Sequence, residues 1–313
     1  MSKEAVETFE CFGGRCAVRI GHPDGAAAGE AARNARLALL DAHRVLSRFD
    51  PDSELSRLNR DPRREVPASP LLRRVVAAAL TAGLRSGGLV DATLVDEIEA
   101  AGYTESRDFG ADPGRPSAAG APHPAAPSAR AGWCELVVDA RAGTVKRPPG
   151  LRLDPGGIAK GLMADLVGES LADFDSFAVD CCGDLRVGGT AARPRAILVD
   201  DPAGGEPLHE LRIADGAVAT SGITRRVWTD RNGLPAHQIL DPANGLPAFT
   251  GIVQATAVAP TGLLAETLAK SALLVGPERA DSQLPFGGVI VEATGALRIV
   301  ESPASPPAEV AAA

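Results

Sequence analysis

No apolar run in this 313-residue chain is long enough to cross a bilayer, so membrane insertion is not expected. Basic charge is not in excess either. The formal net charge is −8, which argues against an extended nucleic-acid surface. The five cysteines, Cys11, Cys16, Cys134, Cys181 and Cys182, are odd in number and include no C-x-x-C pair. That speaks against a disulfide framework and against a zinc site. The adjacent Cys181-Cys182 reads as a pair of small core residues rather than a redox couple. Met1 to Glu7 contains no apolar signal core and no lipoprotein-type cysteine, which points to a cytoplasmic protein. No short-period repeat is visible. With 45% hydrophobic and 23% charged residues, the chain has an ordinary globular composition. It is long enough to bury a large core in one big domain or two subdomains.

Residues 6–20 read as a strand and 26–48 as an amphipathic helix, in which Leu39, Ala42, Leu46 and Phe49 recur at helical spacing. Asp50-Pro51 stops that helix, and Ser53 can cap a short new turn. Ser69-Pro70 is a cap followed by a first-turn proline and opens a helix through Leu72, Val75, Val76 and Ala79. Residues 105–131, rich in Ala, Pro, Gly and Ser, read as a mobile surface insertion, and 301–313 as a disordered tail. Strands are expected at 134–139, 144–147, 151–153, 176–180 and 184–188. After a helix at 157–172 the chain turns β-rich, with one further helix near 262–275. Strands in runs with segregated helices predict an α+β fold with mostly antiparallel sheet.

The richest single stretch is Asp154-Pro155-Gly156-Gly157-Ile158-Ala159-Lys160-Gly161, running on to Asp165. Two glycines lead into a helix start, where unpaired N–H groups and the positive dipole end favour a phosphate. Lys160 in the first turn adds a full charge. A plain Asp-capped helix with a solvated lysine explains the same residues. The stretch is neither a Walker A loop nor a GxGxxG motif.

Other polar, glycine-containing blocks punctuate the strands. They are Ser47 to Asn59 (S-R-F-D-P-D-S-E-L-S-R-L-N), Asp91-Ala92-Thr93, Asp180-Cys181-Cys182-Gly183-Asp184, Ala219-Thr220-Ser221-Gly222, His237 to Gly245, and Ala265-Glu266-Thr267-Leu268-Ala269-Lys270. In this order and spacing the chain resembles the ApbE family of FAD:protein FMN transferases, from about Phe9 to Val275. The strongest carriers are D-x-G-G-I-A-K-G-x-x-x-D, A-T-S-G and the Ser47–Asn59 block. The resemblance implies one α+β domain over residues 6–300, built of two similar subdomains with an FAD cleft between them. It implies FAD as substrate, a magnesium ion at the pyrophosphate, and a flavoprotein acceptor whose Thr or Ser hydroxyl receives FMN as AMP leaves. Some members hydrolyse FAD to FMN and AMP instead, and FAD binding or delivery without catalysis is a third reading.

Carried over by position, Phe49, Asp91, Ala92, Thr93, Asp154, Lys160, Thr220, Ser221 and Leu240 are expected to contact FAD. Gly157, Glu266 and Lys270 fall on metal positions. The family's A-D-x-x-x-T helix sets two oxygen ligands one turn apart; here those places hold Glu266 and Lys270, and a protonated lysine cannot ligate a metal. Either Lys270 only pairs with Glu266, or its ammonium supplies the charge a metal would give. The family motif also has a histidine three residues before the Asp of Asp-Pro, where this chain has Gln238. His237, one residue earlier, is the candidate base if the backbone bulges to bring it round.

Overall fold

Alternating charged and apolar residues carry β1, Ala5–Cys11, into β2, Gly14–Gly21. The single strand expected over 6–20 is instead a hairpin. The chain reverses at Phe12-Gly13, whose φ values are 53° and 75°, the two-residue geometry that matches strand twist. Helix α1, Gly25–Leu46, begins at Asp24, whose carboxylate accepts the Ala26 and Ala27 amides. Its buried face, Ala28, Ala32, Ala35, Leu39, Ala42 and Leu46, recurs every three or four residues. Ser53 caps α2, Glu54–Arg60, and Ser69 caps α3, Pro70–Arg85. Then come α4, Val95–Ala100, and α5, Ala159–Ser170. The remaining main elements are β3, Ser176–Cys181; β4, Asp184–Gly188; β5, Gly216–Gly222; β6, Ile252–Ala259; α6, Gly262–Val275; β7, Gly288–Glu292; and β8, Leu297–Val300. These come from a computed structural model, which describes residues 4–106, 121–230 and 233–302.

Two of the expected strands differ. At 151–153 none forms, because the Asn59 side-chain amide takes both the N–H and the C=O of Leu153 at 2.8 Å each. At 134–139 only Val137–Asp139 is a strand, after a short turn at Gly132–Glu135. Of the expected insertion, 107–120 lies outside the described residues, as does 303–313 of the expected tail. Residues 121–131 are no free surface segment. Ala125 donates to Leu274 O (2.8 Å) and His123 to Phe249 O (3.0 Å), and the Ala126 amide donates to Asp241 Oδ1 at 3.0 Å. No described helix is long and apolar enough to cross a membrane.

The eight strands form one sheet in sequential order, β1 to β8, with every pair antiparallel. The sheet has two halves of one pattern. Hairpin β1–β2, helix α5 and hairpin β3–β4 make the first; β5–β6, α6 and β7–β8 make the second. α1 packs on β1 and β2, α5 on β3 and β4, and α6 on β5 and β6. Each half has its own apolar cluster, around Val18, Leu39 and Val179 in one and Ile252, Leu273 and Ile290 in the other.

Where the halves meet, α5 and α6 touch through glycine. A Cβ on Gly161 would lie 2.3 Å from Gly262 O, and one on Gly262 would lie 2.5 Å from Gly161 O. Four residues further along each helix, a carboxylate reaches across to the other helix's first turn. Asp165 accepts the Gly262 and Leu263 amides (2.6 and 2.9 Å), and Glu266 accepts the Gly161 amide (3.0 Å). This exchange of caps satisfies helix-start donors that are buried at the crossing. Gly161→Ala is therefore expected to cost about 1–3 kcal/mol, because backbone opposes the new methyl and cannot swing aside. Thermal unfolding measures it, and an unchanged midpoint would mean the helices separate freely.

Candidate functional site

Beside the helix crossing, Lys160 at the start of α5 and Glu266 and Lys270 of α6 line the floor of a cleft of 430 Å³, within the size range of small-molecule sites. Asp154 caps the turn before α5: its Oδ1 accepts the Gly156 amide at 2.8 Å, and its Oδ2 takes Arg48 Nε at 2.9 Å. The glycine pair lines the cleft beside it.

Lys160 projects from the first turn of α5 between two buried carboxylates. It contacts Asp184 at the start of β4, and its Nζ lies 3.6 Å from Glu266 Oε1. Lys270, one turn beyond Glu266, places its own Nζ 3.6 Å from the same oxygen. The Lys270 chain packs on Gly157, its Cε 3.2 Å from where a Cβ there would sit. Burial works against the Lys160 charge, but Asp184 and Glu266 outweigh it and hold its pKa above the lysine range. Burial pushes Asp184 up to about 6 against the pull of Lys160. Glu266 also resists ionisation through burial, yet the two lysines bring its pKa below the usual value. Lys270 is lowered by burial, with Glu266 opposing the shift.

Magnesium requires several hard oxygen donors in near-octahedral array. Of the Glu266 oxygens, Oε2 is held by the Gly161 amide and Oε1 faces two ammoniums. Asp184 is taken by Lys160. Among the described residues no group of three His, Cys, Asp or Glu side chains could hold a metal ion. The residues expected at the metal positions, Gly157, Glu266 and Lys270, do line the cleft together, but as a set they do not fit the ion.

One wall is aromatic. Phe49 meets Tyr103 edge-on at 5.2 Å, and Tyr103 stacks on Trp228 at 5.1 Å. The Arg48 guanidinium lies 4.4 Å over the Phe49 ring, a cation–π contact. Asp91 Oδ1 accepts both the Thr93 amide (2.8 Å) and its hydroxyl (2.6 Å), while the buried Oδ2 has no hydrogen-bond partner. Burial raises the Asp91 pKa. Phe49, Asp91, Ala92, Asp154, Lys160 and Leu240 all line the cleft, as do Thr220 and Ser221 from β5. Thr93 does not; it serves by fixing Asp91.

His237, the candidate base, stands apart from the other expected residues. It ends the short strand Pro235–His237, is 5% exposed, and does not line the cleft. Its Nδ1 accepts the Ile239 amide at 3.3 Å, and burial lowers its pKa to about 4. The strand pairing is regular up to His237, and the chain bends after it, so that Gln238, Ile239 and Leu240 line the cleft instead; Gln238 donates to Gly222 O at 3.3 Å with its Oε1 unpaired. The histidine that does line the cleft is His43 of α1, edge-on to Phe12 at 5.3 Å. Sequence reasoning missed it, along with Arg48, Arg226, Tyr103 and Gln254. Arg48 sat inside a quoted block, but nothing in the sequence tied it to Asp154.

A glycine-led helix start, a lysine pair and an aromatic wall thus line one cleft of an α+β fold. Residues 12–285 match the ApbE family, and the chain belongs to that family. The FAD:protein FMN transferase of Treponema pallidum is 33% identical over 155 residues, 45% of this chain and 42% of that protein. The chain thus spans less than half the length of that relative. The FAD:protein FMN transferase of Haemophilus influenzae is 26% identical over 77% of this chain and 71% of that protein. The fold is shared with the ApbE protein of Thermotoga maritima, at a TM-score of 0.78 and 21% identity, over 96% of this chain and 97% of that one. The flavinyl transferase ApbE of Pseudomonas stutzeri, in apo form, superposes at 0.72 with 22% identity, over 96% and 95%.

Proposed function

We propose that this chain is an FAD:protein FMN transferase, moving FMN from FAD to a Thr or Ser hydroxyl of a separate flavoprotein. The observation that carries this reading is the lysine pair set over Gly156-Gly157 within a cleft of this family. In the reaction the acceptor oxygen bonds to the FMN-side phosphorus, the bond to the bridging oxygen breaks, and AMP leaves with that oxygen. Such a transfer depends on positioning and on charge neutralisation at the phosphates. Lys160 and Lys270 hold positive charge where the pyrophosphate would lie, and the missing side chain at Gly157 gives the Lys270 stem its room. Phe49 and Tyr103 give the cleft an aromatic wall of the kind a flat flavin packs beside.

Incubation with FAD and a candidate acceptor tests this reading. Flavin fluorescence that remains on the denatured acceptor is the expected result. FMN and AMP formed without an acceptor would make the chain a pyrophosphatase. A second reading, FAD binding without transfer, is favoured by one observation: the expected base, His237, is turned away from the cleft. FAD bound tightly and recovered intact would establish it.

Asp91→Asn separates binding from stability. Asp91 lines the cleft, where its carboxylate can accept a ligand N–H, and a hydrogen bond to a charged group contributes about 1.5–3 kcal/mol. The variant is expected to bind FAD at least about tenfold more weakly, with no loss of thermal stability, since a buried charge has been removed. Unchanged affinity in a flavin-fluorescence titration would remove Asp91 from the binding set.

A further inference from the structure

We propose that the pyrophosphate site of this chain works without a metal: Lys160 and Lys270 together supply its positive charge, and the cleft takes FAD as the uncomplexed pyrophosphate. The inference rests on the FAD reading above and specifies the ionic form of the ligand.

The symmetry of the helix crossing gives its first support. Gly161 and Asp165 of α5 stand in the same relation as Gly262 and Glu266 of α6, and each carboxylate caps the other helix. Glu266 is thereby a structural cap, with one oxygen already engaged. Its other oxygen, Oε1, makes no hydrogen bond and lies 3.6 Å from each of two lysine nitrogens. A divalent cation bound there would stand beside two ammoniums.

The second support is space. Lys270 occupies the volume above Gly157, with Cε and Nζ 3.2 and 3.8 Å from a Cβ position on that glycine. A residue without a side chain at 157 lets the lysine stem lie flat and brings its ammonium to the cleft floor. The Glu266 carboxylate, one helical turn back, holds it there.

Charge is the third. Two carboxylates, Asp184 and Glu266, face two lysines on the floor, and Arg226 also lines the cleft while donating to Phe12 O at 3.3 Å. The floor therefore carries three side-chain cations against two carboxylates, before the helix start is counted. That net positive charge favours a pyrophosphate dianion over a magnesium–pyrophosphate complex, which is already neutral.

The test is FAD affinity, read by flavin-fluorescence quenching, with EDTA and then with millimolar MgCl2. Dissociation constants that agree within about threefold are expected. Lys270→Thr should weaken FAD binding in EDTA at least about tenfold, and Lys270→Arg should retain it, since charge is kept. Thermal unfolding of each variant confirms that it is folded. Adding Glu266→Asp to Lys270→Thr builds an oxygen pair one turn apart, and this variant should regain affinity with MgCl2. Native binding that is lost in EDTA and restored by MgCl2 would overturn the inference while leaving the FAD reading intact. Full affinity of Lys270→Thr in EDTA would overturn it as well. No FAD binding under either condition would overturn both.

Discussion

Lys160→Gln is expected to abolish measurable FAD binding and to lower the free energy of unfolding by about 3–5 kcal/mol, the cost of removing one partner from a buried ion pair. Asp184 and Glu266 are 1% and 2% exposed and share the Lys160 ammonium. Without it only Lys270 faces Glu266, and Asp184 keeps a single weak contact, the Thr220 amide at 3.4 Å. Adding Asp184→Asn removes the stranded charge, so the double variant should recover most of the stability and none of the affinity. That split separates the structural part of Lys160 from its part in binding. Recovery of both would mean the lysine only neutralises Asp184.

The same variant carries a pH signature. In the native protein burial raises Asp184 from 3.8 to about 6. A raised folded pKa gives stability that is complete below the unfolded pKa and is lost as pH rises through the folded one. In the native protein that loss tails off around about pH 6 and is nearly complete one unit above it, so Asp184 adds little slope between about pH 7 and 8. Lys160 is what pulls the Asp184 value down, and its removal sends that value higher still. Lys160→Gln should therefore grow more stable as pH falls from about 8 to 6, while Lys160→Gln with Asp184→Asn should not. Denaturant melts at the two pH values measure this, and a flat profile for the single variant would place Asp184 in contact with solvent.

Much of the fold was legible because its signals are local. The helix expected near 262–275 forms as α6, and Ser69-Pro70 gives the start of α3. The hairpin at Phe12-Gly13 was not legible, because φ > 0 at a phenylalanine is rare and leaves no compositional trace. A second turn of the same kind, at Cys182-Gly183, packs beside it, with Cys182 Sγ 3.1 Å from Cys11 O. Nor could a linear reading find the exchanged caps of α5 and α6. Gly161 and Gly262 are distant in sequence, and each is explained only by the other. Residues 121–131 misled for a related reason: their hydrogen bonds come from the backbone at His123, Ala125 and Ala126, and an Ala- and Pro-rich composition does not report where backbone groups go. The cleft residues were found because they lie in compact blocks whose order resembled a family. The charge pattern within the cleft needed the structure, since Lys160, Asp184, Glu266 and Lys270 come from three different elements.

Gln238→His is expected to raise the rate of flavin transfer by about 10²-fold or more, the usual worth of a well-placed general base. The acceptor hydroxyl must lose a proton as its oxygen bonds to phosphorus, and an amide cannot take it. Gln238 lines the cleft beside Ile239 and Leu240, so an imidazole in its place would stand at the cleft wall. His237 cannot serve from its own position. Its Nδ1 is taken by the Ile239 amide, and with a pKa of about 4 it is a weak base. His237→Asn should accordingly change the transfer rate by less than about threefold. The gain in Gln238→His should appear as pH rises through the imidazole range near about 6.5 and level off above it, measured as single-turnover formation of denaturation-resistant flavin on the acceptor. Absence of any gain, together with loss of transfer in His43→Gln, would show that His43 already removes the proton. The cleft would then run its chemistry from α1 and not from the Asp-Pro loop.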